Sequence, residues 1–382
     1  MEEEMDYKKL ASKIFYEASK LTWKNRKGKL GEVEELFSDF SGLRGYEVGG
    51  LPLGTKSNMN FDGVGTKIEI AERCGRHETV FYDLFAMVCD DAVLKGGEPV
   101  VVGSVFDASC LGNESEYFSS FINMISNGMI EAAKDAGVAV VNGETAELGY
   151  RVKGYGKFNY NLCAGAVWYG HESRLLSGKE IRVGNSLVGL YEEGFRSNGF
   201  TLVREIMEKV HGENWHDVKW VDGKNSLGDM ALTPSRIYSK AIVDMTGGYD
   251  TDRKPKALLH DIAHITGGGI PEKLGRVLES SGFGAEIDNP FMPSEFVRYV
   301  QDLGNVSDRE AYKTWSMGQG MAIITPNPDD VINVAEEHGI KSKDIGYITK
   351  EEGIKILNHG AFSLFYNPRG ISPKGDEWLN YD

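Results

Sequence analysis

A chain of 382 residues is long enough for two ordinary domains, and a hydrophobic fraction of 41% against 26% charged residues excludes a disordered chain. A formal net charge of −15 argues against nucleic acid or an anionic membrane as partner, because basic residues cluster only briefly, as at Lys24–Lys29. Cys74, Cys89, Cys110 and Cys163 show no C-x-x-C spacing, so neither a disulfide framework nor a zinc site is expected. The opening Met-Glu-Glu-Glu has the wrong charge for a signal peptide, and no apolar run approaches the roughly 18 residues of a membrane span. A reducing cytoplasm is the expected location.

In chain order, Tyr7, Leu10, Ile14, Ala18 and Leu21 fall on one face of a helix over 5–23. Glycine-rich turns follow from Ser41 to Gly54. A second helix is expected over 82–95, then a β-branched strand at Val100–Val105. Phe118, Phe121, Ile122, Ile125 and Met129 recur at helical spacing, and Val138–Val141 reads as a short buried strand. Asn161–Tyr169 reads as a further strand. The polar stretch 172–183 suggests a boundary, which gives domains 1–175 and 176–382. Beyond it, a strand at Ser186–Leu190 leads to helices at Phe200–Val210 and Ser235–Met245. A strand at Ala263–Ile265 precedes helices at Pro271–Leu278, Ser294–Leu303 and Asp330–His338. This alternation predicts two α/β domains with mixed sheets.

Several short runs carry candidate chemistry. Asp62-Gly63-Val64-Gly65-Thr66-Lys67 combines glycines that let the backbone approach phosphate, a carboxylate suited to Mg²⁺ and a lysine suited to phosphate charge. An ordinary glycine turn has the same composition. Asp90-Asp91 closes an apolar helix before Gly96-Gly97, and adjacent helical positions let only one of the two ligate. Asn142-Gly143-Glu144 lies just past a strand, where α/β proteins often bind ligands. Arg196-Ser197-Asn198-Gly199 opens a helix, as an anion site or simply as a cap. His264-Ile265-Thr266-Gly267-Gly268-Gly269 leaves a strand for a helix that admits Pro271 in its first turn, and resembles a phosphate cradle. His211 and His216 have no ligand spacing and read as a surface loop. Met317-Gly318-Gln319-Gly320-Met321 reads as a glycine-bent strand with buried methionines.

The order of these runs, together with Leu232-Thr-Pro-Ser-Arg-Ile-Tyr238, resembles the successive motifs of the aminoimidazole ribonucleotide synthetases over about 60–350. The resemblance implies two α/β domains, the first contributing its sheet to a barrel shared across a homodimer. It implies ATP-dependent closure of formylglycinamidine ribonucleotide, a small phosphorylated substrate, to aminoimidazole ribonucleotide. By motif, Asp62, Asp91 and Glu144 would hold Mg²⁺ and ATP, with Gly63, Gly65, Thr66, Asn142 and Gly143 around the nucleotide and Lys67 on phosphate. Arg196, Ser197, Asn198, Gly199 and Thr266–Gly269 would border the substrate, including Gly267 and Gly268, and His264 would handle the proton. The sequence departs from that family at Arg196, where histidine is common, at Gln319, usually aliphatic, and around Tyr16–Lys20, a faint echo of the family's opening segment. Another ATP-dependent enzyme of the superfamily, or a silent nucleotide-binding relative, is the alternative.

Overall fold

A computed structural model describes residues 6–37, 44–112, 115–156, 158–366 and 375–382. The opening Met-Glu-Glu-Glu, the start of the glycine-rich turns at 41–43 and the Phe118 side chain lie outside the described residues. Contacts divide the chain into two units. The first comprises 1–93, 97–172 and 237–240; the second comprises 94–96, 173–236 and 241–382.

The first unit begins with α1 (Tyr7–Trp23), capped by Asp6, whose side chain accepts the Lys9 N–H at 2.9 Å. Strands β1 (Val33–Glu35) and β2 (Arg44–Tyr46) pair antiparallel. Then come β3 (Thr55–Gly63), α2 (Lys67–Cys74), α3 (Val80–Val93), β4 (Glu98–Ala108), α4 (Ser115–Ala136), β5 (Ala139–Glu147) and β6 (Tyr160–His171). Among the described residues, four of these strands form a sheet in the order β3-β6-β4-β5, with β4 and β5 parallel. Helix α3 is apolar on nearly every side and therefore buried. One sheet face packs Phe106, Leu162 and Ala166 inward with Phe121 and Tyr160. The end of α1 closes the start of edge strand β5: Thr22 Oγ1 accepts the Val140 N–H, Trp23 Nε1 donates to the Val140 carbonyl, and Asn25 Nδ2 donates to the Val138 carbonyl. These bonds satisfy backbone groups an edge would otherwise leave open.

The second unit carries β7 (Ser186–Tyr191), α5 (Phe200–His211), α6 (Leu227–Ala231), α7 (Ser239–Thr246, shared with the first unit), β8 (Asp261–His264), α8 (Gly269–Leu278) and β9 (Gly284–Ile287). It continues with α9 (Glu295–Leu303), α10 (Asp308–Thr314), β10 (Gln319–Thr325), α11 (Pro328–Glu337), β11 (Ser342–Thr349), β12 (Ile354–Leu357) and β13 (Trp378–Tyr381). Its sheet runs β13-β12-β9-β11-β7-β10-β8. The pairings bring the carboxyl ends of β7, β8, β9 and β12 and the amino ends of β10 and β11 to one end of that sheet.

Some elements differ from the sequence reading. Strand β5 extends through Glu147, so Asn142–Glu144 sit inside a strand rather than after it. The Asp62 run leads from a strand into α2, and α7 starts at Ser239, four residues later than its composition suggests. His216 is buried and His211 bonds the Tyr299 hydroxyl at 2.8 Å, so this segment is not a free surface loop. Among the described residues no helix is long and apolar enough to cross a membrane.

Candidate active-site loops

In the first unit, Asp62 lies near the end of β3, Gly65 turns the chain at φ 73°, and Lys67 starts α2. Lys67 is 1% exposed and its Nζ lies 2.7 Å from Asp83 Oδ1. This corrects the reading of Lys67 as a cation presented to phosphate: its charge is committed inside the unit. The two aspartates at the end of α3 diverge as helical geometry requires. Asp90 is fully buried and accepts the Tyr238 and Ser239 N–H groups at 2.8 and 2.9 Å, whereas Asp91 is exposed.

The three-acid metal site is not formed. Register places Asp62, Ala164, Ser104 and Gly143 in one row, and Gly63, Cys163, Val105 and Glu144 in the next. Asp62 and Glu144 are therefore on edge strands three spacings apart, roughly 14 Å. Alternation also turns them to opposite faces, Asp62 with Asn60 toward α3 and Glu144 with Val105 toward the open face. Carboxylates so placed do not reach one cation, and among the described residues no group of three or more His, Cys, Asp or Glu is placed to hold a metal. The run Asn142–Thr145 does border a cavity of about 610 Å³, walled by α1 through Ser12, Phe15 and Tyr16. Arg44 spans it: its guanidinium lies 4.5 Å from the Tyr16 ring centroid and donates to Asn142 Oδ1 at 3.2 Å. Tyr16 opens the 16–20 segment that faintly echoes the family's opening, whereas Arg44 carries no motif that sequence reading could single out. They meet only through the packing of α1.

In the second unit the motif loops share one end of the sheet. Gly199 precedes α5 at φ 70° with no side-chain cap, so neither Ser197 nor Asn198 spends its side chain as the expected cap. A Cβ at Gly199 would sit 2.5 Å from Trp315 Nε1, which only glycine avoids. Ser197 Oγ and Trp315 Nε1 are both buried without a hydrogen-bond partner among the described residues. Buried polar atoms are normally satisfied, so these two are exceptions within the loops. Asn198 Oδ1 lies 3.7 Å from the Cβ position of Gly267, which joins the two glycine runs. Gly268 and Gly269 have φ 93° and 61° at the start of α8, and a Cβ on Gly269 would strike the Tyr312 carbonyl at 1.9 Å.

Arg196 and His264 are corrections. Arg196 is 0% exposed, and its Nη1 donates to Glu192 at 2.7 Å while Nη2 donates to His264 Nε2 at 2.8 Å. A guanidinium only donates, so His264 Nε2 is the acceptor and its lone pair is already engaged. Arg196 is thus an internal clamp rather than a bidentate ligand for substrate, and buried His264 is its partner rather than a free proton carrier.

Residues 50–167 match the family described as AIR synthase related protein, N-terminal domain, and residues 182–357 match AIR synthase related protein, C-terminal domain. The chain belongs to the AIR synthase related family. It is 32% identical over 337 residues to a phosphoribosylformylglycinamidine cyclo-ligase of Rippkaea orientalis, covering 87% of this chain and 91% of that one. It is 36% identical over 298 residues to a phosphoribosylformylglycinamidine cyclo-ligase of Methanosarcina acetivorans, covering 78% and 81%. Among solved structures, thiamine-monophosphate kinase from Stenotrophomonas maltophilia superposes with a TM-score of 0.59 at 13% identity, covering 86% and 93%. The hydrogenase maturation protein HypE in complex with ATP gives 0.50 at 14%, covering 79% and 81%. At such identities these structures share the AIR synthase fold and nothing narrower.

Proposed function

We propose that this AIR synthase family member is an ATP-dependent cyclo-ligase that closes formylglycinamidine ribonucleotide to aminoimidazole ribonucleotide, releasing ADP and phosphate. The observation that carries the reading is identity of 32% across 87% of the chain to an enzyme of that name, with the glycine loops in place.

The chemistry explains why phosphate-handling loops are needed. An amide oxygen is a poor leaving group. Transfer of the γ-phosphoryl group onto it makes an iminophosphate and releases ADP; the amidine nitrogen then attacks the same carbon, and phosphate departs with the C–O electrons as the ring closes. Such transfer depends on positioning and charge neutralisation more than on covalent help from the protein. The segment 1–175 offers the cavity beside Asn142–Thr145 for ATP, a volume ordinary for a small-molecule site. Arg44, stacked on the Tyr16 ring, supplies a cation there. The segment 176–382 offers Ser197, Asn198 and the Thr266–Gly269 backbone to the ribonucleotide. Asp62, Asp91 and Glu144 of one chain do not fit a preformed magnesium site, so magnesium would enter with the nucleotide, as is usual for this ion.

A homodimer accords with the open face of the first sheet, where Met59 is 50%, Phe61 74% and Val105 41% exposed. A second copy of that face would cover them.

The test supplies purified chain with formylglycinamidine ribonucleotide, ATP and magnesium, and follows ADP and the aminoimidazole product together. Equal rates of both support the cyclo-ligase. ADP release without the product, or ATP binding without either, would refute it in favour of a different substrate or a silent nucleotide-binding relative.

A further inference from the structure

At the same end of the second sheet as the glycine loops stands a group of cations that none of the motifs includes. Lys341 immediately precedes β11 and Lys343 lies within it, and alternate positions in an extended chain share a face. Arg298 projects from α9 and His359 follows β12. Aromatic rings lie beneath them. Lys341 Nζ is 4.6 Å from the Tyr191 ring centroid and 5.4 Å from that of Phe291; Lys343 Nζ is 4.9 Å from Phe291. The Arg298 guanidinium is 4.0 Å from the Tyr366 ring, and the His359 and Phe365 rings meet edge to face at 4.8 Å. Lys341 is exposed, while Lys343, Arg298 and His359 are half-buried.

The charge here is not compensated. In a chain of net charge −15, no ion pair joins Arg298, Lys341 or Lys343 to a carboxylate among the described residues. Lys343 donates to Asn289 Oδ1 at 2.8 Å and to the Pro290 carbonyl at 3.1 Å, neutral acceptors that orient it without cancelling its charge. Glu295 is the acid close enough to act on Arg298, and Glu193 and Glu192 are those close enough to act on Tyr191. Arg298 Nε and His359 Nδ1 are buried with no hydrogen-bond partner among the described residues, although the His359 ring also interacts with the Pro290 backbone. Burial holds the Lys343 ammonium below its usual range, with Lys341 adding to the effect, and His359 is lowered by burial and by Lys343. Like charges gathered at such a cost are what an incoming anion would relieve.

The floor of the group is itself fixed. Gln319, fully buried, accepts the Phe291 N–H through Oε1 at 2.5 Å and donates through Nε2 to the Met317 carbonyl at 2.5 Å. This anchors the Phe291 backbone, whose ring lies under both lysines.

We propose that Arg298, Lys341, Lys343 and His359 form a binding site for a phosphate monoester group. A dianionic tetrahedral phosphate matches several convergent donors, with a planar guanidinium for two oxygens and ammonium groups as point charges. The site stands on its own geometry; taking its ligand as the ribonucleotide's phosphate rests on the cyclo-ligase reading. Free inorganic phosphate has the same chemistry.

Calorimetric titration of the full chain tests this without turnover, so a failed activity assay and a failed site are distinguishable. The probes are ribose 5-phosphate, inorganic phosphate and ribose. The unaltered chain should bind the ester and not ribose, and the K341Q/K343Q double variant should bind it roughly tenfold more weakly or worse. Arg298→Gln is the second variant, with circular dichroism to check that each one folds. Tighter binding of the ester than of inorganic phosphate assigns the site to the ribonucleotide; equal binding assigns it to phosphate alone. Wild-type affinity in both variants, or no binding by the unaltered chain at millimolar concentration, would overturn the site.

Discussion

Arg196 shows how far one side chain can depart from the role its position suggests. Its backbone sits at φ 57°, a left-handed conformation that non-glycine residues adopt at a cost. The compensation is internal. Glu192 takes one amino group and His264 the other, and Glu192 also accepts the Arg236 N–H at 3.2 Å. Removing the guanidinium would take from the buried Glu192 carboxylate the cation 2.7 Å away. Arg196→Met is therefore expected to destabilise the chain by roughly 3–5 kcal/mol, seen as a fall in the urea midpoint. A loss too small to resolve would mean that water readily reaches Glu192, contrary to its 1% exposure.

At the scale of elements, one carboxylate bonds both the connection from β5 to β6 and the start of β6. Glu72 on α2 accepts the Tyr155 N–H through one oxygen at 2.9 Å and the Tyr160 N–H through the other at 3.1 Å. Burial nonetheless dominates and raises its pKa from 4.5 to about 7, the two N–H groups opposing the shift. The folded form thus holds a proton that the unfolded chain has already lost between these values. Stability from this group is fully present below pH 4.5 and declines as pH rises through 7, with a slope of at most about 1.4 kcal/mol per pH unit. Nearby His77 acts the other way: burial lowers its pKa to about 4, so its contribution is lost as pH falls below 6.5. Comparing Glu72→Gln with the unaltered chain isolates the first effect. The variant's denaturation midpoint should lack the decline between pH 4.5 and 7, and parallel curves for the two proteins would reject the assignment.

The whole molecule poses the question of what covers the open face of the first sheet. Phe61 lies over Gly165, where a Cβ would approach its ring to 2.5 Å, and still leaves 74% of its surface exposed. Large rings on a sheet face are seldom left to water when a symmetric partner can bury them. Phe61→Asp is expected to leave the protomer folded, since the residue is exposed within it, and to shift sedimentation from dimer to monomer. A monomeric unaltered chain at micromolar concentration would remove the dimer. The Glu144 carboxylate shares this face, so the same variant reports on whether ATP binding needs a second copy.

Residue pattern alone determined the helical and strand periodicities of α1, α3, α4 and β4, because spacing within one element is a local property. It also located the glycine turns before α5 and α8, where positive φ values admit little else. Order along the chain was enough to indicate the family. Local pattern could not show that Lys67 turns inward to Asp83, that Arg196 clamps His264, or that Asp62 and Glu144 face opposite ways from opposite edges. Those outcomes depend on strand order, register and the burial of groups distant in sequence, and only the tertiary structure decides which charges meet. The cluster of Arg298, Lys341, Lys343 and His359 belongs to the same class: three separate segments supply it, and the sheet brings them together.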